Sequence, residues 1–248
     1  MQHLTRQILI SCLLLVSHGP VAGSEEELIF RAYYKIYSGT LEIGESTRTL
    51  KRIDETKYSF ESDTHATGLA RMLVDRQVME QSLIEVKDNR IIPIEYSYRK
   101  YDGELKKEVK SLFDWKTSLV RNSVNNMEKD KHSQIDLPLS DGMLDKLLYQ
   151  YAIMRDLQNG ISPVEYLIAD TRKIKTYTFE NAGLETIETP GGTMNAVKLL
   201  RYNKNDSDNE KVIIWCASNY NYLPVKIETT HEDGSIITAM IHKLDGQL

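Results

Sequence analysis

Apolar and polar residues alternate through most of this chain, and that alternation restricts its fold more than any other feature. Segments such as Leu28–Tyr37 and Lys57–Ala66 follow a period of two, and Gly, Asn, Asp or Pro residues separate them at short intervals. A period of two is typical of strands with one buried face, and closely spaced turn signals favour antiparallel pairing. The sequence therefore predicts a mainly β fold, either a curved antiparallel sheet or an incomplete β-barrel.

Two distant segments carry the same pattern of residues. Ile91–Lys107 and Tyr222–Thr238 each place an apolar-Pro pair before an alternating run that ends at Asp-Gly. Proline cannot donate to a sheet, so it marks a strand start or an edge strand, and Asp-Gly favours a tight hairpin. The repetition predicts two similar halves of one sheet, with chance recurrence of turn residues as the alternative.

Two segments break the period of two. In residues 140–160, apolar side chains recur at helical spacing, Ser140 or Asp141 could cap the start, and Gly160 could end the helix. The sequence predicts that this α-helix packs on the sheet. The apolar segment 67–75 predicts a second, short helical turn.

The first 23 residues have the layout of a secretory signal peptide. Arg6 precedes an apolar run from Ile8 to Val16, and small residues lead to Gly23. We therefore expect residues 24–248 to form a single β-rich domain in a bacterial periplasm. Cys12 has the local form of a lipoprotein signal, but it precedes most of the apolar run, so no lipid anchor is expected. No segment after residue 23 is long and apolar enough to predict a transmembrane helix.

Charge and cysteine content narrow the classes of partner. The formal net charge is −5, and removal of residues 1–23 would take away one basic residue, Arg6, and no acidic residue. An acidic chain does not favour nucleic acid or an anionic membrane surface as partner. Cys216 would then be the single cysteine, so no intramolecular disulfide is expected.

The usual catalytic and metal-binding motifs do not occur in the sequence. The histidines after residue 23 lack the spacing of metal ligands, and no G-x-S-x-G or phosphate-binding glycine pattern is present. Cys216 follows Trp215 in an apolar run, where a thiol is more often a small buried hydrophobic group than a nucleophile. The sequence predicts no cofactor, no metal and no particular catalytic residue.

Several segments together resemble a known family, the domain-of-unknown-function 3108 family of exported Gram-negative bacterial proteins. The matching segments run in order along nearly the whole mature chain and include HATGLARMLVDRQVMEQS, LFDW, DGMLDKLLYQYAIMRDL and WCASNYNYLPVKIETTHEDG. This resemblance implies no functional residues, because the family has no established activity. Trp215, Leu223-Pro224 and Asp233-Gly234 also resemble, more distantly, the periplasmic lipoprotein carriers, and that likeness implies a half-open barrel with helices over an apolar cavity.

We therefore expect a non-catalytic module that binds a lipid or the acyl chain of a lipoprotein on its concave face. An envelope hydrolase with scattered Glu, Asp and His residues, and a scaffold for a protein partner, remain alternatives. The candidate ligand-binding residues lie in the two helical segments, and they are Leu69, Met72, Leu73, Tyr151 and Met154. The short segment would act as a lid over the cavity, or else simply plug one end of the barrel.

Overall fold

Fifteen strands form one continuous sheet in the computed structural model, which describes residues 26–73, 75–203 and 211–246. The predicted signal peptide, residues 1–23, lies outside these ranges. The strands are β1 (Glu27–Ser38), β2 (Leu41–Arg52), β3 (Lys57–Ala66), β4 (Arg76–Lys87), β5 (Arg90–Asp102), β6 (Glu104–Asp114), β7 (Leu119–Asn126), β8 (Lys131–Pro138), β9 (Leu144–Asp145), β10 (Glu165–Asp170), β11 (Lys173–Thr189), β12 (Gly192–Asn203), β13 (Lys211–Ala217), β14 (Leu223–Thr230) and β15 (Ile236–Gly246). The predicted mainly β fold is confirmed.

The sheet consists of two meanders that join at its centre. Strands β1 to β8 follow one another in one half, β9 to β15 follow in the other, and β1 pairs with β15 between them. The two edges, β8 and β9, are consecutive in the chain, and residues 139–143 connect them directly. Five residues span at most roughly 17 Å, so the sheet must curve until its edges approach each other. It remains an open curved sheet that does not close into a barrel.

The repeated proline segments fold alike. Pro93 in β5 and Pro224 in β14 are each followed by a residue that the neighbouring strand skips, Ile94 in one case and Val225 in the other. Both strands are interior rather than edge strands. A β-bulge therefore accompanies each proline, which is one of the few ways in which a sheet interior accepts proline.

The hairpins that follow these strands differ in length. Gly103, at φ +67°, is the single residue between β5 and β6, as the predicted tight hairpin requires. The second hairpin was predicted to be equally tight, and that prediction is wrong. Residues 231–235 separate β14 from β15, and the His231 amide donates to the Ser235 carbonyl at 2.9 Å.

The long helix is shorter than predicted. Helix α2 comprises Tyr149–Gln158 rather than residues 140–160, because Leu144 and Asp145 extend as β9 beside β10. The predicted caps, Ser140 and Asp141, therefore lie outside it. The Asp145 carboxylate accepts the backbone N–H groups of Leu147 and Leu148 in the turn that leads into the helix. The N-cap residue itself, Leu148, makes no side-chain capping hydrogen bond. Gly160 follows the end of the helix at φ +73°, as predicted.

Helix α2 fills the concave side of the sheet. Ile153 is fully buried, and the Tyr151 ring lies 6.1 Å from that of Phe60 on β3. The Tyr149 ring meets Tyr177 of β11 edge-on at 5.2 Å. The helix thus contacts both meanders, and together they bury one continuous core.

The predicted short helical turn is also present, as helix α1 (Gly68–Leu73). It begins two residues after β3 ends at Ala66, and the Thr67 amide donates to the Ile43 carbonyl of β2 at 3.1 Å. Helix α1 therefore lies at one end of the curved sheet, beyond β2 and β3.

Gly44 of β2 permits a close backbone approach beside helix α1. A Cβ atom at this position would lie 2.7 Å from the His65 carbonyl oxygen, which is shorter than a van der Waals contact. We expect Gly44→Ala to lower the free energy of unfolding by about 1–3 kcal/mol in urea titrations. Gly191→Ala is the matched control, because its nearest neighbour would be 3.3 Å away. Equal losses for the two variants would contradict this close approach.

Candidate functional site

A cleft of about 280 Å³ opens on the concave face at the end of the sheet where helix α1 lies. It is bounded by the N-terminal turn of helix α2 and by strands of both meanders. We call it the arginine cleft, because two of its lining residues are arginines. Its lining residues are Ile36, Ser46, Arg48, Thr64, Tyr149, Gln150, Arg201, Val212, Ile227, Thr229, Ile237 and Ala239.

One wall of the arginine cleft is an apolar stripe across three adjacent strands. Ile36 of β1 pairs with Ala239 of β15, which in turn pairs with Ile227 of β14. Ile237, two residues from Ala239 on the same strand, lies on the same face. All four side chains are only partly buried, so the stripe presents apolar surface to the cleft.

Arg48 lies on β2, next to the β1 strand of this stripe, and has an unused donor. Its Nη1 atom donates to Oε1 of Gln150 in helix α2, and its guanidinium lies 5.9 Å from the centre of the Tyr34 ring. Its Nε atom is buried and has no hydrogen-bond partner among the described residues. The Arg48 side chain thus has hydrogen-bonding capacity left for a bound group.

Arg201 of β12 brings a second guanidinium to the cleft. Its side chain lies 4.3 Å from the Tyr177 ring centre and donates from Nη1 to the Tyr149 hydroxyl at 3.4 Å. Burial raises the pKa of the Tyr177 hydroxyl, while the charge of Arg201 acts in the opposite direction. Aromatic contacts on this scale hold a guanidinium in place.

The candidate residues predicted on helix α1 lie close to the mouth of the cleft. Thr64, which lines the cleft, is four residues before Gly68, where the helix begins. Met72 is 81% exposed. The structure describes only the backbone of Leu69 and Leu73.

The candidates predicted on helix α2, Tyr151 and Met154, lie deeper. They are 7% and 2% exposed, and neither belongs to the lining of the arginine cleft. Tyr151 contacts Phe60, which is six residues along β3 from Ala66, or roughly 20 Å. Tyr149 and Gln150, rather than Tyr151 and Met154, are the residues of helix α2 that line the arginine cleft.

Sequence reasoning missed Arg48, Gln150 and Arg201. A signal for Arg48 was available, since it shares the inward face of β2 with Ser46 and with Leu50, which is 3% exposed. A charged residue at an inward position of an alternating strand is unusual enough to mark a functional candidate. The same signal was available for Arg201, which shares the inward face of β12 with the fully buried Leu199. Gln150 has no such signal, because its place depends on how helix α2 packs on the sheet.

A second, larger cleft of about 650 Å³ lies at the other end of the sheet, near the C-terminal end of helix α2. Four of its charged side chains, those of Arg90, Asp141, Arg155 and Asp156, have partners within it. Arg90 pairs with Asp141, Arg155 donates to Asn89, and the Tyr166 hydroxyl donates to Asp156 at 2.5 Å. This cleft therefore offers less unused binding capacity than the arginine cleft.

The remaining reactive groups are buried or dispersed. Cys216 is fully buried, and burial raises the pKa of its thiol, in line with the role of a small hydrophobic group. Among the described residues, no group of three His, Cys, Asp or Glu side chains is placed to hold a metal ion. None of the helices in the described ranges is long and apolar enough to cross a membrane.

Comparisons with known proteins give a family and a fold. Residues 30–242 match the family model described as protein of unknown function DUF3108. Among solved structures, the chain is similar to a β-barrel-like protein of domain of unknown function DUF1849 from Brucella abortus. That match has a TM-score of 0.56 and 12% sequence identity, and it covers 88% of this chain and 98% of the other.

A second similar structure is a Bacteroides fragilis protein with a YmcC-like fold. Its TM-score is 0.36 at 9% identity, and the match covers 89% of this chain and 95% of the other. A comparison with curated proteins found no match. The match over residues 30–242 spans most of the sequence, and the chain therefore belongs to the DUF3108 family of proteins of unknown function.

Proposed function

We propose that this protein is a periplasmic, non-catalytic module that binds an apolar ligand, a lipid or a lipoprotein acyl chain, in the arginine cleft. The observation that carries the proposal is the stripe of Ile36, Ile227, Ile237 and Ala239 facing a cleft on the concave side of the sheet. Ligand sites are typically concave and mostly apolar, with a few polar groups that fix orientation. The signal-peptide layout of residues 1–23 supports the location.

Helix α1 is suited to cover the mouth of this cleft. It lies beyond Ala66, and Met72 is exposed rather than packed into the core. A methionine side chain adapts readily to ligands of different shape. In this proposal Leu69, Met72 and Leu73 form a lid that closes over the bound chain, and Tyr151 and Met154 support the floor from within the core.

The lid can be tested with Met72→Asp. Because Met72 is 81% exposed, we expect the melting temperature to change little, with less than about 0.5 kcal/mol lost. Binding of the neutral fluorescent probe N-phenyl-1-naphthylamine should weaken several-fold, since a charge would face the apolar ligand. The measurements are thermal unfolding and a fluorescence titration.

Leu184→Asp is the matched control, because Leu184 is 76% exposed and belongs to β11, which does not line the cleft. It should leave both stability and probe binding unchanged. A large fall in melting temperature for Met72→Asp would show that helix α1 is a structural plug. Failure of the wild-type protein to bind the probe saturably would refute the proposed function itself.

A further inference from the structure

We propose that the arginine cleft selects amphiphiles with an acidic head group, a carboxylate or a phosphate, which Arg48 and Arg201 bind together. The apolar chain of the ligand would lie on the isoleucine stripe and leave the cleft beneath helix α1. This inference rests on the proposed function and adds the chemical class of the ligand.

Arg48 provides the first argument. A guanidinium carries five N–H donors and no acceptor, and it stays charged at any physiological pH. Of these donors, the one at Nη1 reaches Gln150, whereas the buried Nε atom has no partner among the described residues. An acidic oxygen that reaches this guanidinium would form charge-assisted hydrogen bonds with it.

The arrangement of the two arginines provides the second argument. Arg48 on β2 and Arg201 on β12 belong to different halves of the sheet, yet both line the same cleft. The described lining residues include these two cations and no Asp or Glu side chain. A single acidic group in the cleft could therefore contact both guanidinium groups.

The position of Arg48 along β2 and the burial of Arg201 indicate the orientation of the ligand. Arg48 is two residues further into the sheet than Ser46, and Arg201 is only 6% exposed. Ile36 and Ile237 lie close to the ends of their strands, at Ser38 and Ile236, and they are more exposed. The acidic head would thus lie deep in the cleft, and the chain would point to the mouth.

The test compares two fluorescent probes that differ only in charge, 11-(dansylamino)undecanoic acid and its methyl ester. The wild-type protein should bind the acid at least tenfold more tightly than the ester, since hydrogen bonds to charged groups are worth at least that factor. Arg48→Met should reduce this preference several-fold by weakening binding of the acid while leaving binding of the ester unchanged, and Arg201 accounts for the preference that remains. Arg99→Met is the control, because Arg99 is an exposed residue outside the cleft, and it should leave both affinities unchanged.

Displacement of the acid probe separates the two kinds of head group. Lauric acid or dodecyl phosphate should displace the probe far better than dodecanol, and the better of the two identifies the head group. Arg201→Lys keeps a positive charge at a buried position. This variant should lower the affinity for the acid probe more than the affinity for the ester probe. Thermal unfolding of each variant verifies that it is folded.

Two outcomes would overturn the acidic head group while leaving the proposed function intact. One is equal affinity of the wild-type protein for the acid and the ester. The other is an equal fold-decrease in affinity for the acid and the ester in Arg48→Met. Absence of binding of either probe would instead count against the proposed function.

Discussion

The free energy of unfolding should rise by about 2.5 kcal/mol through Asp145 alone as the pH falls from 7 to 4. Asp145 is fully buried, and burial raises the pKa of its carboxyl group from 3.8 to about 6. Its Oδ1 atom accepts hydrogen bonds from the Ser82 hydroxyl and from the amides of Leu147 and Leu148, which lowers the pKa and opposes the larger effect of burial. Its Oδ2 atom has no partner among the described residues.

The direction of this pH dependence follows from proton binding. Below pH 3.8 the folded and unfolded states both hold the proton, and above about pH 6 neither does. Between these values the folded state holds more protons, so stability falls as the pH rises through this window. Urea titrations at several pH values measure the effect.

Asp145→Asn is the matched variant for this prediction. Its amide oxygen can still accept from Ser82, Leu147 and Leu148, but it cannot titrate. The free energy of unfolding of the wild-type protein should therefore rise relative to that of Asp145→Asn, by about 2.5 kcal/mol as the pH falls from 7 to 4. Parallel profiles for the two proteins would show that Asp145 does not carry a raised pKa.

Truncation of Ile153 to alanine should cost about 2–5 kcal/mol in the free energy of unfolding. Ile153 is fully buried in helix α2, where it lies in the core on the concave side of the sheet. Removal of its outer atoms would leave a cavity that helix and sheet can fill only in part. The loss should appear as a lower urea midpoint with an unchanged slope.

Gln158→Ala is the control on the same helix. Gln158 is exposed and donates to the Asn221 carbonyl at 2.9 Å, so its loss should cost less than about 1 kcal/mol. Similar losses for Ile153→Ala and Gln158→Ala would contradict a helix that fills the concave face.

The alternation of residues was enough to predict the strands, because burial on one face imposes a period of two on each strand by itself. The pairing of β1 with β15 was not predictable in this way, since it joins strands more than 200 residues apart and has no local signal. The repeated proline pattern did predict that two distant segments fold alike. Each proline is followed by a β-bulge, at Ile94 and at Val225, and this shared bulge explains why the prolines recur.

The start of helix α2 was misplaced for an identifiable reason. Leu144 and Leu147 fit a helical stripe, but Leu144 is also buried as part of the short strand β9. Periodicity cannot separate these alternatives for so few residues. Asp145 decides between them, since its carboxylate accepts hydrogen bonds from the amides of Leu147 and Leu148 once the strand has ended.

The candidate site was only partly accessible to sequence reasoning. An apolar lid at Gly68–Leu73 could be proposed from composition, and the mouth of the arginine cleft lies near that helix. The floor of the cleft could not be proposed, because Arg48 and Arg201 meet only through the curvature of a fifteen-stranded sheet. Curvature depends on the packing of helix α2 and leaves no pattern in the sequence.

Native mass spectrometry gives the most direct test of an apolar ligand in the arginine cleft. The protein would be purified without detergent from a Gram-negative host, and it would be measured as purified and again after incubation with palmitate. We expect a complex of one protein with one acyl-chain ligand that denaturation dissociates, and a weaker palmitate complex for Arg48→Met. Detection of only ligand-free wild-type protein under both conditions would contradict the account.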